Sequence, residues 1–238
     1  MDNNQRLCEA IQILKQIQIK RNEGDSELQK YLGSCLRTAA KNNNLDLVKR
    51  LIEEENANPN DADINGSSSL ILATRYKHFS VLEYLLSLSD KVNINAQDSM
   101  GSTALHIACD EDFEHGVMIL LCSPRLDVNI VDDNGHTALV YAVCDGKIEI
   151  VRCLLEHKDI DVNFENQSHR NRTSALSLAC REEHNEIISM LLQREDLRMS
   201  SRNLKLIIQF VMKRPVKKNI GAVIEKAVTR NFPGSLAS

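Results

Sequence analysis

The side chains best suited to chemistry are seven histidines, seven cysteines and several adjacent carboxylates, and none of them falls into a spacing that assembles a reaction centre. A zinc peptidase helix requires His-Glu-x-x-His, and a structural zinc site requires Cys or His pairs about two to four residues apart. Neither occurs, and there is no Gly-rich phosphate loop and no Gly-x-Ser-x-Gly elbow for a nucleophile. The acidic runs Asp110-Glu111-Asp112 and Glu182-Glu183 have the atoms for acid/base work, but nothing in the sequence supplies a pocket to shift their pKa, so they read as solvated helix ends. No catalytic residue, metal or cofactor is expected.

Charge is distributed unevenly. From Arg198 to Ser238 nine Lys or Arg face one acid, Glu225, so this end carries +8 and the remainder −12. Within it, Lys213-Arg214-Pro215-Val216-Lys217-Lys218 resembles a short nuclear-import signal, and Lys213, Arg214, Lys217 and Lys218 are its candidate contacts with an import receptor, nucleic acid or acidic lipid. A solvated linker is the alternative. Only Phe210 and Phe232 lie nearby to stack on bases, which argues against nucleic acid as the principal partner. The cysteines (Cys8, Cys35, Cys109, Cys122, Cys144, Cys153, Cys180) form an odd set without a Cys-x-x-Cys pair, the usage of reduced thiols in an intracellular compartment. No apolar run approaches the length of a membrane span, and the N-terminus lacks the pattern of a secretory signal. The expected location is the cytoplasm, with the nucleus or a host cytoplasm as alternatives.

The elements that would position any site come from a repeat of about 34 residues. A leucine near the start of each first helix recurs at Leu36, Leu70, Leu105, Leu139 and Leu176, and an alanine follows three residues later at Ala39, Ala73, Ala108, Ala142 and Ala179. Large apolar doublets close the second helices: Leu51-Ile52, Leu85-Leu86, Leu120-Leu121, Leu154-Leu155 and Leu191-Leu192. Asn60, Asn95, Asn129 and Asn163 recur beyond the doublets, and Asp63, Asp98 and Asp132 each precede a glycine by three residues, the chemistry of a tight hairpin. Residues 4–21 carry Leu7, Ala10, Ile11, Leu14 and Ile17 at the spacing of one helical face.

Together these positions resemble the ankyrin repeat, whose unit runs Asp-x-x-Gly-x-Thr-Pro-Leu-His-x-Ala, helix, turn, helix, Asp-Val-Asn. The resemblance covers about 29–200 and implies an all-α solenoid of stacked helix-turn-helix units with short β-hairpin loops and helical caps at both ends. The expected division is an N-terminal capping helix and linker at 1–28, repeats at 29–62, 63–97, 98–131, 132–165 and 166–200, and a truncated sixth repeat with the basic segment at 201–238. The family's Pro is absent, replaced by Cys35, Ser69, Ala104, Ala138 or Ala175. The glycine between the two helices survives only as Gly146, with Asn43, Lys77, Asp112 and Glu183 elsewhere. By the same resemblance His106 has a structural role, and the hairpin asparagines bond across their own hairpins.

In function, the resemblance implies a non-catalytic adaptor, expected as a monomer, that binds one or more proteins in a concave groove. Carried over by register, the tip positions are Ile64, Asn65, Ser67, Ser99, Met100, Ser102, Asp133, Asn134 and His136, with Arg170, Asn171 and Thr173 in the lengthened fifth hairpin. The helix-end positions are Lys41, Asn42, Arg75, Tyr76, Asp110, Glu111, Cys144, Asp145, Arg181 and Glu182, and Tyr76 with Ile64 and Met100 is the expected apolar centre. A bacterial or viral host-targeting effector that acts by the same binding mode is the alternative.

Overall fold

A computed structural model describes residues 11–12, 26–166, 173–213 and 218–232. Most of the helix expected over 4–21, the insertion at 167–172, and Arg214 and Lys217 lie outside the described residues; Ile11, on the apolar face of that helix, is buried.

Two compact units divide between Leu126 and Asp127. The first holds three helix pairs: α1 (Ser26–Lys41) with α2 (Leu45–Glu53), α3 (Ser69–Arg75) with α4 (Phe79–Ser87), and α5 (Ala104–Asp110) with α6 (Glu114–Leu121). Here α1 packs on α3 and α3 on α5, while α2 packs on α4 and α4 on α6. The second unit holds α7 (Ala138–Cys144) with α8 (Ile148–Glu156), α9 (Ala175–Arg181) with α10 (Asn185–Gln193), and α11 (Ser201–Lys213) with α12 (Lys218–Asn231). Within it α9 lies between α7 and α11, and α10 between α8 and α12. The last pair thus stacks in the same register as the others. Before α11 the Met199 N–H donates to the Asn231 side chain at 2.8 Å.

Local chemistry starts each first helix. Ser68, Thr103, Thr137 and Ser174 are N-caps whose hydroxyls accept from backbone N–H groups three residues on. At Thr103 the cap is reciprocal, because the Nδ1 of buried His106 accepts from the Thr103 N–H at 3.2 Å. The recurrent leucines then enter the core: Leu36, Leu70, Leu105, Leu139 and Leu176 are all buried, each stabilising by roughly 1.5–3 kcal/mol. The alanines Ala39, Ala73, Ala108, Ala142 and Ala179 are equally buried, so a larger side chain there would overpack the helix contact.

The turn from first to second helix is the same in five pairs, and the alanines close it. Each alanine carbonyl accepts from the N–H five residues on, from Asn44, His78, Phe113, Lys147 and His184, at 2.8–3.0 Å. This is the outer bond of a Schellman cap, which requires a left-handed residue before the donor. Asn43 (φ 56°), Lys77 (56°), Asp112 (54°), Gly146 (68°) and Glu183 (60°) occupy that position, so the conformation persists where glycine has been lost.

The hairpins are reduced to single bridges, Ala62 with Ser68 and Val131 with Thr137, and to a two-residue antiparallel ladder of β1 (Glu165–Asn166) with β2 (Thr173–Ser174). The hairpin asparagines bond to the connection of the next helix pair. Asn60 Nδ2 donates to the Lys91 carbonyl at 2.7 Å and its Oδ1 accepts from the Asn93 N–H at 2.7 Å, joining the connection of one pair to that of the next. Asn129 does the same with Asp159 and Asp161, and Asn163 with Asp196 and Arg198. Asn95 Nδ2 reaches the Arg125 carbonyl at 2.9 Å.

Lys77→Gly is expected to stabilise the protein by up to about 1 kcal/mol, because only glycine takes this backbone conformation without a Cβ penalty. Urea unfolding measures it. Gly146→Ala should act in the opposite direction and more strongly, since its Cβ would also lie 2.7 Å from the His184 ring.

Candidate protein-binding surface

Two hairpin tips of the first unit are built around a carboxylate. Asp63 Oδ1 accepts from the Asn65 and Ser67 N–H groups, both at 2.9 Å, and Asp98 Oδ1 from Met100 at 3.0 Å and Ser102 at 2.9 Å. The tips are tied to each other: the Ser99 N–H donates to the Asn65 carbonyl at 2.8 Å. Gly66, at φ 72°, is the point of approach, and a Cβ there would lie 2.8 Å from Asp98 Cα and the Ser99 nitrogen. These bonds turn Ile64, Asn65, Ser99 and Met100 outward, with Ile64 98% and Met100 58% exposed. Ser67 and Ser102 correct the sequence reading, since both are buried at the return of the hairpin, where their N–H groups face the aspartate.

Helix ends stand beside these tips. Arg75 Nη2 meets Asp98 Oδ2 at 3.2 Å, and that carboxylate side chain is 2% exposed, so Arg75 holds the next hairpin against α3 as well as reaching the surface. Tyr76 caps α3 with its ring 44% exposed. The Lys41 ammonium lies 5.4 Å from the ring centroid, His78 stacks on it at 6.1 Å and 18°, and His78 Nε2 lies 2.8 Å from the Lys41 carbonyl. A cation and an imidazole therefore fix the aromatic anchor in place. Lys41, Asn42 and Asp110 are exposed and Glu111 half-buried.

In the second unit Asp132 organises the tip. Its Oδ1 accepts from the Asn134 and His136 N–H groups at 3.0 and 2.7 Å, and its Oδ2 from the Tyr141 hydroxyl at 2.8 Å. Burial opposes the charge, but the His136 backbone, the Tyr141 hydroxyl and the Asn134 amide donate to it and hold the carboxyl below its ordinary 3.8. Asp133 and Asn134 are exposed, while His136 is half-buried and edge-on to Tyr141. Asn166, missed in the sequence, donates from Nδ2 to the Asn134 carbonyl at 2.6 Å, and a Cβ on Gly135 would meet its amide at 2.7 Å. No Asp-x-x-Gly pattern marks that tip, but Asn166 falls 34 residues after Asp132, at the register of the tip aspartates. Arg170 and Asn171 lie outside the described residues, and Thr173 is buried in β2. Cys144, Asp145, Arg181 and Glu182 are exposed, with Asp145 paired to Lys147 at 2.8 Å and Arg181 to Glu182 at 3.1 Å.

Among the basic candidates, Lys213 ends α11 and Lys218 begins α12. On the second helices, Phe79 (39%) and Met118 (53%) are exposed, with the Phe79 ring edge-on to His115 at 6.3 Å. Among the described residues no group of three His, Cys, Asp or Glu side chains gathers as a metal site, and no helix is long and apolar enough to cross a membrane. None of the six described cysteines is in a disulfide, and burial pushes the Cys180 thiol up to about 12, far from a nucleophilic thiolate.

Asp132 gives a pH signature. Because its folded pKa lies below the ordinary 3.8, its contribution is complete above that value and is lost as pH falls through the folded pKa. Asp132→Asn should lower stability at pH 7 and flatten the acid limb of a plot of unfolding midpoint against pH below about 4. An acid limb that keeps the wild-type slope would remove Asp132 as its source.

The ankyrin repeats family model, in three copies, matches residues 36–131 and again 115–203. An ankyrin repeat protein of fowlpox virus (strain NVSL) is 32% identical over 135 residues, which cover 56% of this chain and 30% of the viral protein. The human transient receptor potential cation channel subfamily A member 1 is 29% identical over 128 residues, 51% of this chain and 11% of the channel. The mouse B-cell lymphoma 3 protein homolog is 31% identical over 111 residues, 45% of this chain and 25% of that protein. The chain thus spans less than a third of the length of these relatives. With this match laid over helix pairs that recur with the same caps and turns in both units, the chain belongs to the ankyrin-repeat family, whose repeats are protein–protein interaction modules.

Proposed function

We propose that this chain is a non-catalytic adaptor that binds a protein partner along the edge formed by hairpin tips and first-helix ends, with the anchor in the first unit at Ile64, Tyr76 and Met100. The observation that carries this reading is the exposure of large apolar side chains on tips whose backbones are held rigidly: Ile64 is 98% and Met100 58% exposed beside a Tyr76 ring braced by Lys41 and His78. Apolar anchors that are already ordered lose little entropy on binding, and a few such anchors carry most of an interface's affinity. Described cysteines outside any disulfide fit a reducing, intracellular setting. A second reading, an effector delivered into a host cell that uses the same edge, is favoured by the similarity to a fowlpox virus protein.

Tyr76→Ala combined with Met100→Ala is expected to weaken the principal partner by at least about 2 kcal/mol, the scale of a hot-spot loss, while thermal unfolding stays cooperative. A photo-crosslinking residue placed at 64 or 100 should capture that partner, and one placed at Glu83 on α4 should not. Undiminished binding in the double variant would move the site away from this edge.

A further inference from the structure

We infer that the partner segment recognised at this edge of the first unit is dipolar, with acidic residues at one end, an apolar residue in the middle and basic residues at the other. The inference rests on the reading of the edge as the docking surface. Three equivalent turns join first to second helices in this unit: Lys41-Asn42-Asn43, Arg75-Tyr76-Lys77 and Asp110-Glu111-Asp112. Their third residues share one conformation, φ 56°, 56° and 54°, and α1 packs on α3 and α3 on α5, so the turns stand in a row. Adjacent helices are about 8–10 Å apart, so the row is roughly 16–20 Å long, the reach of about six extended residues.

Along that row the charge changes sign. Lys41 is exposed at the first turn, Lys77 is exposed at the second beside Tyr76, and Asp112 is exposed beside half-buried Glu111 at the third. Arg75 is largely committed to Asp98, which leaves Lys41 and Lys77 as the outward cations beside the aromatic ring. The second unit lacks this separation, since its corresponding turns pair Asp145 with Lys147 and Arg181 with Glu182. Screening in physiological salt acts over about 8 Å, close to the spacing of the turns, so each turn acts chiefly on the part of a partner directly above it. A segment with separated charges and a central apolar side chain complements all three turns at once. A segment of the same composition with its charges mixed cannot.

Fluorescence anisotropy with the full chain and synthetic eight-residue peptides tests this. One peptide carries two Asp at one end, Phe-Leu in the centre and two Lys at the other; a second has the same residues with Asp and Lys alternated; a third carries Asp at both ends. The segregated peptide is expected to bind roughly tenfold more tightly than the mixed one at low salt, with the difference shrinking as salt rises. In the Glu111→Lys, Asp112→Lys variant the preference should pass to the peptide with Asp at both ends, and Tyr76→Ala should weaken both complexes. Lysine is tolerated in this backbone conformation at Lys77. As a second variant, Lys41→Glu should narrow the preference for the segregated peptide without altering the core. Tyr76-dependent binding with no preference between segregated and mixed peptides overturns the dipolar partner and leaves the docking edge intact. Binding indifferent to both Tyr76 and Met100 overturns the edge as well, and no measurable binding of the segregated peptide overturns the dipolar partner.

Discussion

One asparagine amide, held between the connections of successive helix pairs, sets the spacing on which the rest of this structure depends. Backbone groups in a connection have no helix or sheet partner, and each hydrogen bond that supplies one contributes about 0.5–1.5 kcal/mol. Asn60, Asn129 and Asn163 each meet that need with both ends of the amide, donating to one carbonyl and accepting from one N–H in the following connection. Their first partners lie 31, 30 and 33 residues ahead. The longest of these intervals spans the inserted residues 167–172.

From that spacing the other recurrent contacts follow within each unit. Once neighbouring connections are locked, neighbouring tips come close enough for the Ser99 N–H to reach the Asn65 carbonyl and for the Asn166 amide to reach the Asn134 carbonyl. Approach that close excludes any side chain at Gly66 or Gly135. Each glycine is therefore required for its positive φ and again for the neighbour above it. The tips end up as rigid platforms, which suits a surface that must present exposed Ile64 and Met100 without letting them collapse inward. Polar satisfaction in the scaffold and apolar exposure at the edge are two sides of one arrangement.

Much of this was legible from residue types at fixed intervals. The leucines and alanines announced buried positions because their spacing leaves no alternative face for them. The left-handed turns were not marked where glycine is missing, and it is the Schellman bond to the alanine carbonyl that imposes the conformation on Asn43, Lys77, Asp112 and Glu183 alike. Burial of individual tip residues was less legible. Ser67 and Ser102 sit in variable, polar positions, but the direction of their N–H groups toward an aspartate places them beneath the tip. Asn166 stands at the register of the tip aspartates, 34 residues after Asp132, but its bond was not legible because the Asn134 carbonyl is a backbone atom 32 residues away.

The sequence by itself determined the repeat, its helix pairs, its caps and the composition of each tip and turn, because these depend on contacts between residues close in the chain or one repeat apart. Only the tertiary structure decided which polar side chains are consumed by the scaffold and which remain for a partner. Arg75, an apparent surface cation, is drawn to buried Asp98, whereas Lys41 and Lys77 stay outward beside Tyr76 and opposite the acidic turn at Asp110 to Asp112. Charge is written in the residue; whether it is neutralised depends on what stands within a few ångströms, and stacking alone sets that distance.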